Sequence, residues 1–117
     1  MTNLIMAVVL ALCQVESDGN PAALGDYKNG EPRAVGILQQ WEVSVEEACR
    51  IVGEKRWVHT DRLDPEKSKA MAFVTLRFHY LRGTTNMVEL GGKWRNPFGR
   101  PAPAWYTNKV RRELERR

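Results

Sequence analysis

The sequence predicts a mainly α single domain with a small β-hairpin around residues 25–36. Three observations carry that prediction. An apolar run from Leu4 to Cys13 opens the chain, long enough for a buried helix and too short to span a bilayer. Asp64-Pro65 opens a second segment in which apolar residues recur at spacings of three and four, the period of a helix with one packed face. Between them, Lys28-Asn29-Gly30 is a tight-turn signal inside a loop-like stretch. The length of 117 residues supports one domain with a real core, residues 1–117, and not two.

The elements follow in order. The first helix covers residues 2–17, and Asp18-Gly19-Asn20-Pro21 ends it by turn chemistry. Residues 22–35 are loop-like around the hairpin turn. Gly36 to Gln40 leads into an ordered turn or a helix. Ser44-Val45-Glu46-Glu47 has the form of a capping box, which predicts a helix from there to Gly53. Residues 54–63 read as a loop. Asp64 then serves as N-cap and Pro65 as first helical residue of a helix reaching about Arg82. Ala70, Phe73, Val74, Arg77, Tyr80 and Leu81 form its expected inward face. Gly83 ends it, Thr84 caps a short helix ending at Gly91-Gly92, and Pro97, Pro101 and Pro103 mark a loop. The last helix runs from about Ala104 to the C-terminus. No internal repeat, low-complexity segment or linker is visible.

Composition excludes little. Hydrophobic residues are 43% and charged residues 27%, ordinary for a folded globular domain. A net charge of +4 suits a nucleic acid, a membrane surface or a bacterial wall without choosing among them. No Lys or Arg precedes the opening apolar run, and Leu12 stands where a small residue is expected before Cys13. The run therefore reads as a first buried helix rather than a signal or lipoprotein leader. Cys13 and Cys49 are expected as free thiols, with a disulfide joining two helices as the alternative. No CxxC or Cys/His cluster exists, so no metal site and no cofactor is expected.

One acid stands out. Glu16 shares a helical face with Leu12, Val9 and Ile5, which draws its carboxylate toward the core. It also lies near a helix C-terminus, where the macrodipole disfavours negative charge. Both effects favour the protonated form. A carboxylic acid kept neutral is what glycosidic-bond cleavage needs as proton donor. The plainer reading is a helix-terminal acid paired with an Arg. Asp26, ten residues on, is either a second catalytic carboxylate or a turn residue, with Lys28 nearby as a pairing cation. Gln39 could bind sugar groups or hold its loop. Trp41, Trp57, Trp94 and Trp105 offer stacking faces, although core or rim packing is the commoner role. His59 and His79 have no partner at metal or triad spacing and are read as structural. The basic run Lys109 to Arg117 reads as a solvated helix end.

Glu16-Ser17, then Asn20-Pro21, then Ala34-Val35-Gly36-Ile37-Leu38-Gln39 resembles the signature of the lytic transglycosylase SLT domain, within the lysozyme-like superfamily that includes goose-type lysozyme. Asp64-Pro65 before a long helix, Gly91-Gly92, and Tyr106 with Lys109-Val110 resemble later segments of that family, in the same order. Leu90 replaces the usual Asn before the glycines, and Leu38 replaces the usual Met. The resemblance implies a lysozyme-like fold that cleaves the bond between N-acetylmuramic acid and N-acetylglucosamine in peptidoglycan, leaving 1,6-anhydro ends. It implies Glu16 as general acid and base, and Ser17, Leu38, Gln39 and Tyr106 as substrate-binding residues. The goose-type alternative is an inverting hydrolase with Asp26 as base. A non-catalytic virion or wall-binding module and a small basic nucleic-acid binder are the other classes. The expected partner is the glycan strand, with no nucleic acid, no membrane insertion and a monomeric chain. Source, phage or bacterial, is left open. An enzyme without a clear signal would reach the wall in a virion, through a holin, or as a domain of a larger chain.

Overall fold

The computed structural model of the protein describes residues 1–117. It has five helices, α1 (Thr2–Ser17), α2 (Glu42–Val52), α3 (Pro65–Leu81), α4 (Met87–Arg95) and α5 (Ala104–Arg116), and one antiparallel hairpin, β1 (Leu24–Lys28) and β2 (Glu31–Val35). A short 3-10 turn covers His59–Leu63. The mainly α reading with a small hairpin therefore holds. The radius of gyration is 13.2 Å, matching the ~13 Å of one folded unit of this length.

The opening apolar run becomes the central helix. Ile5, Val8, Val9 and Leu12 are fully buried, and α1 packs on α3, α4 and α5. Ala72 and Leu76 of α3, Leu90 of α4, and Tyr106 and Val110 of α5 complete the same core, with Ile37 and Leu38 from the segment after β2. Each such large aliphatic side chain contributes about 1.5–3 kcal/mol by leaving water. A satellite cluster of Val45, Ala48 and Met71 joins α2 to α3. Cys13 and Cys49 are both free. Burial pushes the Cys13 thiol up to about 11, so it is a neutral core residue.

The hairpin pairs Leu24 with Val35, Gly25 with Ala34, Tyr27 with Pro32 and Lys28 with Glu31. Asn29 and Gly30 at its tip both have positive φ, 54° and 80°, the type I′ geometry that matches strand twist. Its base is fixed by Gly36, at φ 86°. A Cβ there would lie 1.9 Å from the Arg62 carbonyl oxygen, so only glycine fits. Gln40 is buried beneath the hairpin, where its side-chain oxygen accepts the Ser68 hydroxyl at 2.6 Å. The Arg62 guanidinium donates to the carbonyls of Arg33 and Gln40. The hairpin is thus anchored to α3 and the 3-10 turn through polar groups, in addition to the burial of Ala34 and Val35 at the base of β2.

Four details differ from the sequence reading. First, α2 begins at Glu42, with Trp41 as N-cap and no side-chain cap bond. Ser44 lies inside the first turn, because the chain has already left the Val35–Gln40 bridge and turns at Trp41. Second, α4 is capped by Asn86, whose side chain accepts from the Val88 and Glu89 amides, not by Thr84. Third, that helix continues through Gly91-Gly92 to Arg95. The glycines serve close packing: a Cβ on Gly91 would lie 2.7 Å from Val110 Cγ1 on α5. Fourth, the buried face of α3 is Ser68, Met71, Ala72, Thr75, Leu76 and His79. Ala70, Arg77 and Leu81 are exposed and Phe73, Val74 and Tyr80 only half-buried. Because α3 meets α1 and α4 on one side and α2 on another, its packed surface is wider than one stripe.

Candidate active site

Glu16 occupies the last turn of α1, on the face of Ile5, Val9 and Leu12. Asp18 takes the left-handed conformation at φ 53° and ends the helix, with the Gly19 amide bonded to the Cys13 carbonyl. This termination leaves Glu16 half-buried at the edge of the core. Burial raises its pKa above the ordinary carboxylate value, and Asp26 adds to the rise. The Tyr106 bond and the Arg95 and Lys109 charges oppose it, but burial is the largest effect.

The Tyr106 hydroxyl donates to Glu16 Oε2 at 2.5 Å. Tyr106 is 2% exposed, and burial with the neighbouring Glu16 carboxylate holds its own pKa far above the usual phenol range. It therefore acts as a donor throughout the accessible pH range. With Oε2 accepting that bond, the proton of a neutral Glu16 belongs on Oε1.

Glu16 opens onto a cleft of about 730 Å³, whose walls include Asp26, Gln39, Trp41, Trp94 and Arg95. The hairpin forms one side and the end of α4 the other. Nine of the 13 lining residues are not hydrophobic, because four are. A polar cleft with two indoles suits a hydroxylated ligand better than an apolar one.

The hairpin acid has a different setting. Asp26 is exposed and has φ 51°. The indole N–H of Trp41 donates to its Oδ2 at 3.1 Å, so its partner is Trp41 rather than Lys28. The Arg33 guanidinium lies 5.1 Å from the Trp41 ring centre.

The other sequence candidates are placed as follows. Ser17 donates its hydroxyl to the Ile37 carbonyl at 2.7 Å and accepts from the Asn20 amide, tying the end of α1 to the loop behind the cleft. Gln39, at φ 49°, donates its side-chain amide to the Ala23 and Gly36 carbonyls, each at 3.0 Å. It lines the cleft and holds its wall at once. Leu38 is fully buried and reaches the site only through its carbonyl, which accepts the Trp94 indole N–H at 3.0 Å. Tyr106 lies behind Glu16 and is likewise not a cleft-lining side chain. Trp57 pairs with Cys49 on the far side of α2. His59 bridges Glu42 (2.6 Å) and Glu46 (3.1 Å) on α2, while His79 is buried.

Sequence reasoning missed Arg95 altogether. It follows Trp94 at the end of α4, and its guanidinium lies 4.7 Å from the Trp105 ring and 5.7 Å from the Tyr106 ring. The one available signal was a cation following an aromatic residue in a segment read as loop. No group of three or more His, Cys, Asp or Glu side chains could hold a metal ion. No helix is long and apolar enough to cross a membrane.

Comparison with known proteins adds one finding. The family model described as "Transglycosylase SLT domain" matches residues 1–92. No curated protein and no solved structure was matched. The matched span includes Glu16, the hairpin, Gln39 and the packing glycines of α4, while Arg95 and Tyr106 come from the remainder. The match covers most of the chain, in agreement with the helical architecture and the acid at the cleft: the chain belongs to the transglycosylase SLT domain family.

Proposed function

We propose that this chain is a lytic transglycosylase acting on the bond between N-acetylmuramic acid and N-acetylglucosamine in peptidoglycan strands, with Glu16 as both acid and base. The observation that carries the reading is Glu16 itself: a carboxyl with a burial-raised pKa at a polar cleft, oriented by a buried tyrosine. Its Oε1 proton goes to the departing glycosidic oxygen. The muramyl N-acetyl group stabilises the cationic centre left behind. Glu16, now a carboxylate, removes the proton from the muramyl 6-hydroxyl, and that oxygen closes the 1,6-anhydro ring. One carboxylate serves both steps, and no water enters.

The cleft then holds the strand between the hairpin and the end of α4. Trp41 and Trp94 offer aromatic faces to sugar rings, and Gln39 fixes the wall between them. Ser17 maintains the loop geometry on which Gln39 depends.

A hydrolytic reading has one observation in its favour: Asp26 shares the cleft with Glu16. An inverting hydrolase places a base about 6.5–9.5 Å from the acid, with a water between them. Against that role, Asp26 is exposed on the hairpin and already accepts the Trp41 N–H. Digestion of purified cell walls, with mass spectrometry of the released fragments, distinguishes the two. The expected product carries 1,6-anhydro-muramyl ends. Reducing ends in their place would make the chain a hydrolase.

A further inference from the structure

The cleft lining holds three cations, Lys28, Arg33 and Arg95, against two carboxyl groups, Glu16 and Asp26. Lys28 and Arg33 line its hairpin side and Arg95 the opposite side. None of the three side chains takes part in any of the protein's salt bridges. By contrast, Arg50, Arg56 and Arg116 each pair with a glutamate. Unpaired guanidinium groups facing a cleft indicate an anionic ligand group.

Arg95 is the most organised of the three. Its guanidinium lies against the rings of Trp105 and Tyr106. Trp105 is 52% exposed, and Lys109 sits 5.5 Å from its ring on the same helix. Stacking restricts the arginine before any ligand arrives, and it leaves the planar fork free to take both oxygens of a carboxylate. Tyr106 links this position to the site, because its ring touches Arg95 and its hydroxyl holds Glu16.

We propose that Arg95 is a specificity residue that binds a carboxylate of the stem peptide carried by the muramyl sugar, with Lys28 and Arg33 adding a positive field across the cleft. The inference rests on the glycan-cleaving reading above and deepens it. The substrate class is the peptide-bearing, anionic strand rather than glycan as such.

The test uses wild type and the Arg95→Gln and Arg95→Lys variants on two preparations of cell-wall strands. One is native. In the other, free amines are acetylated and carboxylates are then converted to methylamides, which removes the negative charge and leaves the glycan intact. Wild type is expected to cleave native strands with a kcat/KM about ten- to a hundredfold above that on amidated strands, the range for a hydrogen bond to a charged group. In Arg95→Gln that ratio collapses toward one, mainly through KM. Arg95→Lys retains part of it, because charge survives and the fork does not. The charge of Arg95 also acts on Glu16, so a moved pH profile is expected in Arg95→Gln and the native-to-amidated ratio decides. The assignment is overturned if wild type shows no preference, or if Arg95→Gln slows both substrates equally and leaves that ratio unchanged. Failure of wild type to cleave either preparation would instead refute the glycan-cleaving reading itself.

Discussion

The two sides of the cleft are built on different physics. The helical side is the end of α4 together with the end of α1, with α5 behind them: Glu16 rests on fully buried Ile5, Val9 and Leu12, and its one side-chain hydrogen-bond partner, Tyr106, is itself part of the core. The hairpin side is held largely by polar links, the Arg62 guanidinium on the Arg33 and Gln40 carbonyls, the Gln39 amide and the buried Gln40–Ser68 pair. Its acid, Asp26, stands in solvent. The same functional group therefore acquires two characters. Desolvation perturbs the helical carboxyl, whereas nothing buries the hairpin one. An acid's proton is set by what excludes water from it, more than by how close it stands to the ligand.

The largest test of that contrast is Glu16→Gln. Glutamine keeps the shape and can accept the Tyr106 hydroxyl, but it cannot transfer a proton in this role. Cleavage of cell walls is expected to fall about 10²–10⁴-fold, the usual contribution of general acid–base catalysis. Activity within about tenfold of wild type would remove Glu16 from the mechanism. The same variant reports on burial through stability. A carboxyl whose folded-state pKa is raised stabilises the fold fully below its unfolded value, near the ordinary 4.5. That contribution is lost as pH rises through the raised value. Wild-type melting temperature should therefore decline through that window, and Glu16→Gln should flatten the decline and melt higher at neutral pH. A lower-melting variant at neutral pH would mean that the charged carboxylate is welcome where it sits.

This division also explains what was legible in the sequence. Glu16 and its three apolar partners lie within one helix, so a local period is enough to find them. The hairpin turn was equally local, because Asn and Gly are the residue types that tolerate the positive φ a two-residue hairpin turn requires. Two errors were local, the caps of α2 and α4, where a neighbouring residue two or three positions away holds the N-cap; the others lie where a residue's role depends on a distant neighbour. Gly91 looks like a helix stop until Val110, nineteen positions on, is packed against it. The α3 face cannot be read as one stripe, because α1, α4 and α2 approach it from different sides. Leu38 and Gln39 are adjacent in sequence, yet one enters the core and the other the cleft, because both lie in the turn after β2, where Gln39 takes a left-handed backbone and no strand period applies. Arg95 could not be assigned until α5 brought Trp105 and Tyr106 beneath it.

The second test removes the link between the acid and the core. Tyr106→Phe keeps the ring and deletes the hydroxyl that favours the charged form of Glu16. The acid's pKa should rise further. Because a general acid must be protonated to act, the alkaline limb of the pH–rate profile should move to higher pH. A free Oε2 also lets the carboxyl rotate, so activity at the optimum should fall about tenfold, equivalent to one lost hydrogen bond of about 1.5 kcal/mol. An alkaline limb that moves to lower pH would contradict the assigned donor role.

The smallest expected effect belongs to the hairpin acid. Asp26→Asn removes a charge that raises the Glu16 pKa only as a secondary contributor, after burial and the opposing effects of Tyr106 and Arg95. Asparagine still offers an oxygen to the Trp41 indole N–H, so the hairpin wall should keep its shape. The change lies on an exposed residue, and losing one neutral or surface interaction costs about 1 kcal/mol or less. Cell-wall cleavage should accordingly stay within about fivefold of wild type, with 1,6-anhydro ends unchanged and the alkaline limb moved slightly to lower pH. The outcome that would reverse the comparison is a loss as deep as that of Glu16→Gln together with reducing-end products. Asp26 would then be activating water, solvent exposure would be how that water reaches it, and the Trp41 bond would be the orienting contact for a base rather than a brace for the wall.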